Sequence, residues 1–387
     1  MTALEPWQEG GFGLYLHWPF CAAKCPYCDF NSHVSRRIDQ DEWLAAYLRD
    51  LEHWAERTPG RVLSSVFFGG GTPSLMEPRI VGAILDRVAA LWTPANDIEI
   101  TLEANPTSVE ADRFAGFVGA GVNRFSVGLQ ALNDPDLRAL GRLHSAAEGR
   151  RAVDIARSVC DRVSFDLIYA RQNQSLADWE AELREALSFA GEHLSLYQLT
   201  IEAGTAFGDR FRAGRLRGLP SDDLSAEMFE LTQALCAEAG LPRYEVSNHA
   251  VPGAESRHNL IYWRGGDWLG IGPGAHGRIA RNGSRVATEA TRMPTAWLEH
   301  VAERGTGTAE TEDLQTTDIA EEYLIMGLRM RDGIDLDRLR RMGGHVDAAA
   351  LEDLTAAKLL ERDGARLRAS ESGVLLLNRI LAELAPV

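Results

Sequence analysis

Six apolar, β-rich segments recur along the first half of this chain: Leu14–Trp18, Ser65–Phe68, Ile98–Glu103, Arg124–Val127, Val163–Tyr169 and Leu194–Thr200. Their starts run from residue 14 to residue 194 at a mean spacing of 36 residues. That length holds a strand, a crossover helix and two loops, so the rhythm predicts strand–helix units and a parallel sheet. Helical periodicity fills the gaps. Asp41–Arg57 places Trp43, Leu44, Tyr47, Leu48, Leu51 and Trp54 at helical spacing, and Ser145–Val159 and Ser175–Ala190 read similarly. Six consecutive units predict an α/β barrel or partial barrel, whose functional site lies at the carboxyl ends of the strands.

The rhythm changes after Thr200. Gly204–Pro220 is rich in glycine and arginine, a helix is expected over Ser221–Ala239, and a strand over Arg243–Val246. From Thr311 the chain reads as helical and then as a hairpin turning at Asp363-Gly364. Helices followed by a hairpin suggest a winged-helix-like module, so the expected division is 1–300 and 301–387. The balance of 40 basic against 56 acidic residues gives −16, which repels phosphate backbones and argues against nucleic acid as a partner. Met1–Gly13 has no apolar h-region, and no run approaches the about 18 apolar residues of a membrane span. A cytoplasmic protein is expected, with peripheral membrane contact left open.

Three of the five cysteines, Cys21, Cys25 and Cys28, lie within eight residues directly after the first strand. An odd count without a secretory signal argues against a disulfide framework. Zinc knuckles bring thiols as two separated pairs, and Cys160 and Cys236 have no Cys or His at ligand spacing. Three thiolates on one loop can hold three irons of a [4Fe–4S] cluster and leave the fourth open. A zinc ion completed by His17 or His33 is the alternative.

Four further constellations sit at or beyond strand ends. Gly69-Gly70-Gly71-Thr72-Pro73 closes the second strand, and its glycines let backbone approach a ligand without the lysine a P-loop needs. Glu103 opens Glu-Ala-Asn-Pro after the third strand, Gln130 follows the fourth with Arg142 beyond it, and Asp166 lies on the fifth. A carboxylate inside an apolar strand is costly unless paired or ligand-bound. Gly272-Pro-Gly-Ala-His-Gly277 matches GxGxxG but opens no βαβ unit, so it reads as a glycine loop. Finally, His258-Asn-Leu-Ile-Tyr262-Trp263 sets an imidazole among rings and glycines. Such a histidine is either packed and hydrogen-bonded or able to ligate a haem iron while the rings cover the macrocycle.

CxxxCxxC after the first strand of a βα repeat resembles the radical S-adenosylmethionine (SAM) superfamily. Tyr15-Leu-His-Trp-Pro-Phe-Cys21, the GGGTP turn, EANP, Gln130 and Asp166-Leu-Ile-Tyr169 together resemble its oxygen-independent coproporphyrinogen III oxidase-like branch, over about residues 11–300. That resemblance implies a partial (β/α)6 barrel with cluster ligands Cys21, Cys25 and Cys28. It implies SAM contacts from Tyr15, Tyr27, Gly70, Gly71, Thr72, Glu103, Gln130, Arg142 and Asp166. The branch holds both oxidases and haem chaperones of the HemW type. The oxidases carry a fourth cysteine two residues after the third, where this chain has Phe30, and a longer segment before the loop. HNxxYW, intact here, resembles the chaperones, whose histidine is implicated in haem binding; His258 is the corresponding residue. One departure is Ala170-Arg171-Gln172, where the chaperones often have Gly-Leu-Pro. The resemblance therefore implies a chaperone that takes haem, an acceptor protein and an electron donor, with an oxidase or another radical-SAM enzyme as alternatives.

Overall fold

A computed structural model describes residues 5–35, 37–106, 113–281 and 284–384. The first four residues, on which part of the leader expectation rests, lie outside that set. Each expected segment forms a strand: β1 Phe12–Trp18, β2 Val62–Gly70, β3 Thr93–Ala104, β4 Arg124–Gln130, β5 Val163–Tyr169 and β6 His193–Gln198. They pair in chain order and in parallel. The crossovers carry α1 Gln40–Ala55, α2 Pro78–Leu91, α3 Phe114–Gly119, α4 Ala146–Val159 and α5 Leu176–Ser188. Local signals set where these helices begin. Asp39 caps α1, and Ser145 with Glu148 and Ser175 with Asp178 close capping boxes on α4 and α5.

Alternation along the strands separates two faces. Leu14, Leu16, Val66, Phe68, Leu102, Phe125, Val127, Phe165 and Leu167 enter the core with the helices. The residues between them, Tyr15, Phe67, Thr101, Glu103, Ser126, Ser164 and Asp166, face the other way and line the lumen. The sheet does not stop at six strands. β7 Asn248–Ala250 adds antiparallel beside β6, and β8 Asp267–Ile271 adds parallel beside β1. Beyond β8, β9 His276–Arg281, β10 Ser284–Ala290 and β11 Thr308–Leu314 continue antiparallel, giving one 11-stranded sheet. The glycine loop joins β8 to β9, strand to strand, without the helix a dinucleotide fingerprint requires.

The strand expected at Arg243–Val246 is not formed; Arg243 and Glu245 make isolated bridges to His249 and Met330. Glu245 Oε1 accepts from Ser247 N at 2.9 Å and from Asn248 Nδ2 at 2.6 Å, which folds the chain into a turn and passes the pairing to β7.

α6 Asp222–Glu238 starts on Ser221 as expected. The seven-residue α7, Arg257–Trp263, carries HNxxYW. His258 N donates to Glu99 Oε1 on β3 at 3.2 Å, and Arg338 Nη1 donates to Arg264 O just past the helix at 2.6 Å. Arg338 belongs to the C-terminal region, which buries its own apolar cluster from Ala320 to Leu384. The Asp363-Gly364 hairpin forms there, pairing Leu360–Asp363 with Arg366–Ala369.

Ala170 sits at φ 56°, the left-handed region that glycine enters freely, in the loop where the chaperones often have glycine. Ala170→Gly relieves about 1–2 kcal/mol of steric cost and returns part of it as unfolded-chain entropy. Urea unfolding is expected to show a net gain of about 0.5–1 kcal/mol.

Candidate functional site

β1 runs directly into the cysteine loop. Phe20–Cys21 pairs with His33–Val34, and His33 N donates to Pro19 O at 2.7 Å, so the loop closes on itself. Asn31 pins it to the glycine loop and to the residue before Met293, donating from Nδ2 to Pro273 O at 2.9 Å and Arg292 O at 2.8 Å. The three thiols are partly exposed. Burial pushes Cys21 and Cys28 up from the ordinary thiol range, so both are neutral until a cation draws off their protons.

Side chains from three successive strand ends tie two of these thiols together. Thr72 Oγ1 donates to Cys21 Sγ at 3.5 Å and accepts from Asn105 Nδ2 at 2.8 Å. Arg142 Nη2 donates to Asn105 Oδ1 at 2.6 Å and to Gly128 O at 2.9 Å, while its Nη1 reaches Cys25 Sγ at 3.7 Å. Soft donors on one loop, with a guanidinium and a hydroxyl beside them, suit an iron–sulfur cluster. Among the described residues, no three His, Cys, Asp or Glu side chains are gathered for a single metal ion. The histidines weighed for zinc are engaged: His17 bonds Tyr15 Oη at 3.0 Å and Asn31 O at 2.9 Å, and His33 Nε2 bonds Asn31 Oδ1 at 3.2 Å.

The glycine turn abuts this loop. Gly70 adopts φ 108°, and a Cβ there would stand 2.5 Å from the His17 ring. A Cβ on Gly71 would stand 2.6 Å from Phe20 O. These glycines thus clear the end of β1 as well as any ligand. Gly70 N donates to Glu103 Oε2 at 3.2 Å. Burial, with Asp166 nearby, pushes the Glu103 carboxyl up to about 8. Asp166, raised by burial against the pull of Arg142 and Gln130, accepts from Gln130 Nε2 at 2.8 Å. Its Oδ1 is buried without a hydrogen-bond partner among the described residues. Gln130 holds φ 70°, a strained backbone for a side chain of that size. Tyr27, the remaining ring of the loop, packs on Phe207 at 6.4 Å between centroids.

His258 lies deeper in the lumen, away from the loop. Its ring stacks on Phe67 at 4.9 Å and on Tyr15 at 6.2 Å, and Gly13 leaves room for Nδ1. Nδ1 bonds Ser65 Oγ and Nε2 bonds Tyr262 Oη, each at 2.8 Å. Burial lowers its pKa to about 3 against the pull of Glu99, so the imidazole is neutral, the form that ligates metals. The structure therefore brings the three cysteines and the SAM candidates other than Tyr15 to one mouth, while Tyr15 bonds His17 on one side and stacks on His258 on the other.

The Radical SAM superfamily model matches residues 15–186, and the HemN C-terminal domain matches residues 314–376. Heme chaperone HemW of Escherichia coli strain K12 is 37% identical, over 95% of this chain and 96% of its own. The chain belongs to the HemW family. HemW of Mycobacterium tuberculosis is 35% identical over 99% and 97% of the two chains. The zebrafish (Danio rerio) radical S-adenosyl methionine domain-containing protein 1, mitochondrial, is 38% identical over 95% and 85%. Coproporphyrinogen III oxidase (HemN) of Escherichia coli, 21% identical, covers 98% of this chain and 91% of its own at a TM-score of 0.82, which shows the shared fold. Radical SAM membership implies a [4Fe–4S] cluster and SAM.

Asn105, within the Glu-Ala-Asn-Pro segment, and Asn31, next to Phe30, are half-buried residues that the motifs did not single out. Their amide groups bridge loops far apart in the chain, which no local pattern reveals.

Because a Cβ on Gly71 would strike the Phe20 carbonyl beside Cys21, Gly71→Val is expected to reduce iron and sulfide content after anaerobic reconstitution. Full cluster loading in that variant, with loss of SAM binding alone, would show the glycine to serve the ligand only.

Proposed function

We propose that this chain is a haem chaperone, binding haem and passing it to an acceptor protein, with a three-cysteine [4Fe–4S] cluster and SAM as resident cofactors. The HNxxYW helix carries the reading: a neutral imidazole held among aromatic rings on the lumen side of the barrel strands. Phe30, where oxidases of the branch bring a fourth thiol, is 58% exposed and offers no ligand. HemW relatives named as heme chaperones support the same reading over nearly the whole chain. A reducing, cytoplasmic setting suits the free thiols.

In this proposal Cys21, Cys25 and Cys28 hold the cluster, and Tyr15, Tyr27, Gly70, Gly71, Thr72, Glu103, Gln130, Arg142 and Asp166 surround SAM. The pair supplies one-electron chemistry when bound. Glu103 would face a cationic part of SAM and would give up its carboxyl proton to do so. His258 would be the candidate ligand for the haem iron, and its Nε2 would then have to give up its bond to the Tyr262 hydroxyl.

Glu103 yields a pH test. With its carboxyl at about 8 in the unloaded protein, SAM binding at pH 7 is expected to release a proton. Affinity rises with pH to about 8 and levels above it, and Glu103→Gln abolishes the slope. Calorimetry in two buffers of different ionisation enthalpy measures the release directly. Linkage runs the other way for the unloaded fold, whose stability falls as pH climbs from 4.5 towards about 8, because folding resists ionising this group.

Haem titration of the reconstituted protein is expected to shift the Soret band, with no conversion of coproporphyrinogen III. His258→Ala should weaken haem at least about tenfold, equivalent to 1.4 kcal/mol, while the exposed His276→Ala should not. Steady production of protoporphyrinogen IX would favour the oxidase instead.

A further inference from the structure

At Ala170-Arg171-Gln172 the chain departs from the chaperones, and a charge is buried where they often have leucine. Each nitrogen of the Arg171 guanidinium is engaged. Nε and Nη2 donate to Asp136 Oδ2 at 3.1 Å and 2.7 Å, Nη2 also donates to Glu182 Oε2 at 2.6 Å, and Nη1 donates to Ile168 O. Arg171 N donates to Gln174 Oε1 at 3.1 Å, and Gln174 Nε2 donates to Glu182 Oε2 at 3.2 Å. Ions buried in this way seldom give the most stable filling of a space, because desolvation offsets their attraction. What they do give is fixed geometry at their anchors.

Those anchors lie along the segment that joins two SAM candidates. Leu132 N, two residues past Gln130, donates to the other oxygen of Glu182, Oε1, at 2.7 Å. Asp136 sits on the short helix Asp134–Ala139, and Leu137 O in that helix accepts from Arg142 N at 2.8 Å. Ile168, whose carbonyl Arg171 holds, is two residues past Asp166 and next to Leu167, the ladder partner of Gln130. One guanidinium thus ties together the chain next to Gln130, Arg142 and Asp166, and among the described residues its hydrogen bonds reach none of the three directly. Gln130 needs such support: a side-chain-bearing residue at φ 70° persists only where its surroundings over-determine the backbone.

We infer that Arg171 is a positioning residue for SAM, setting Gln130 and Arg142 in place through Glu182 and Asp136. The inference rests on the SAM reading above. With leucine in place of Arg171, Glu182 loses its cation. A buried carboxylate without a cation turns towards water, and Leu132 N then loses its acceptor. Residues 131–142 are no longer pre-set, so the ligand itself has to order them, and that ordering lowers its affinity. The cysteine loop is not among the anchors of Arg171, so cluster loading does not depend on it.

The test uses the full chain with its cluster reconstituted and SAM as the probe. Arg171→Leu and Arg171→Lys are compared with Leu354→Ala, which opens a cavity in the separate apolar cluster of the C-terminal region and reads the effect of lost stability alone. Equilibrium dialysis below every melting transition should show SAM held at least about tenfold more weakly by Arg171→Leu. Arg171→Lys should lose less, since lysine keeps the charge without the fork that reaches three acceptors. Leu354→Ala should match the parent. Iron and sulfide should be unchanged in all three, and the EPR change caused by SAM should move to higher SAM by the same factor as the affinity. If Arg171→Leu is recovered unfolded, Arg171→Lys decides alone: weaker SAM at full iron supports the inference, and parent affinity overturns it. Parent affinity in folded Arg171→Leu, or an equal loss in Leu354→Ala, would also overturn it, leaving the arginine a role in stability only. A parent that binds no SAM would sink the SAM reading itself, a failure seen before any variant is made.

Discussion

A run of hydrogen bonds from one cysteine to another organises the mouth of this barrel. Cys21, Thr72, Asn105, Arg142 and Cys25 are joined in sequence, and the three middle members come from the loops after β2, β3 and β4. Parallel pairing in chain order is what delivers those loops side by side. Partly buried polar networks are valuable only when each member is satisfied, because a half-made network leaves costly unpaired groups. Arg142 joins three members through its two terminal nitrogens, holding Asn105, the Gly128 carbonyl and a thiol, while its buried Nε has no hydrogen-bond partner among the described residues. The cysteine loop thus takes its shape from strands remote from it in sequence.

Much of this was legible beforehand because its causes are local. Strand and helix positions follow from periodicity and caps such as Ser145 and Ser175, and the loop cysteines and GGGTP sit within short motifs. What escaped has non-local causes. The extension of the sheet past β1 by β8 depends on a pairing between residues about 250 apart, such as Leu14 with Leu269. The failed strand at Arg243–Val246 turned on Glu245 bonding its own neighbours, which apolar patterning does not register. The backbone twist at Gln130 comes from a bulge between β4 and β5. Asn31 and Asn105 matter through partners that only folding brings near.

The position of His258 was the hardest to read. Sequence left it either packed or ligating, and the structure shows a ring with both nitrogens engaged, stacked on Phe67 and shielded from solvent. Packing and ligation are therefore not opposed descriptions of this residue. The same burial that lowers its pKa keeps the imidazole neutral, so a metal would compete with the Tyr262 hydroxyl and not with a proton.

The helix that bears this histidine is short, and seven residues do not sustain a helix in water. It persists because it is clamped, through Glu99 at its first turn and Arg338 just past its last. One clamp is part of the barrel and the other part of the C-terminal region. The lumen's floor is therefore a shared wall: whatever lifts it from inside loosens a fastening on the far side. In that sense the last quarter of the chain helps decide what the barrel can hold.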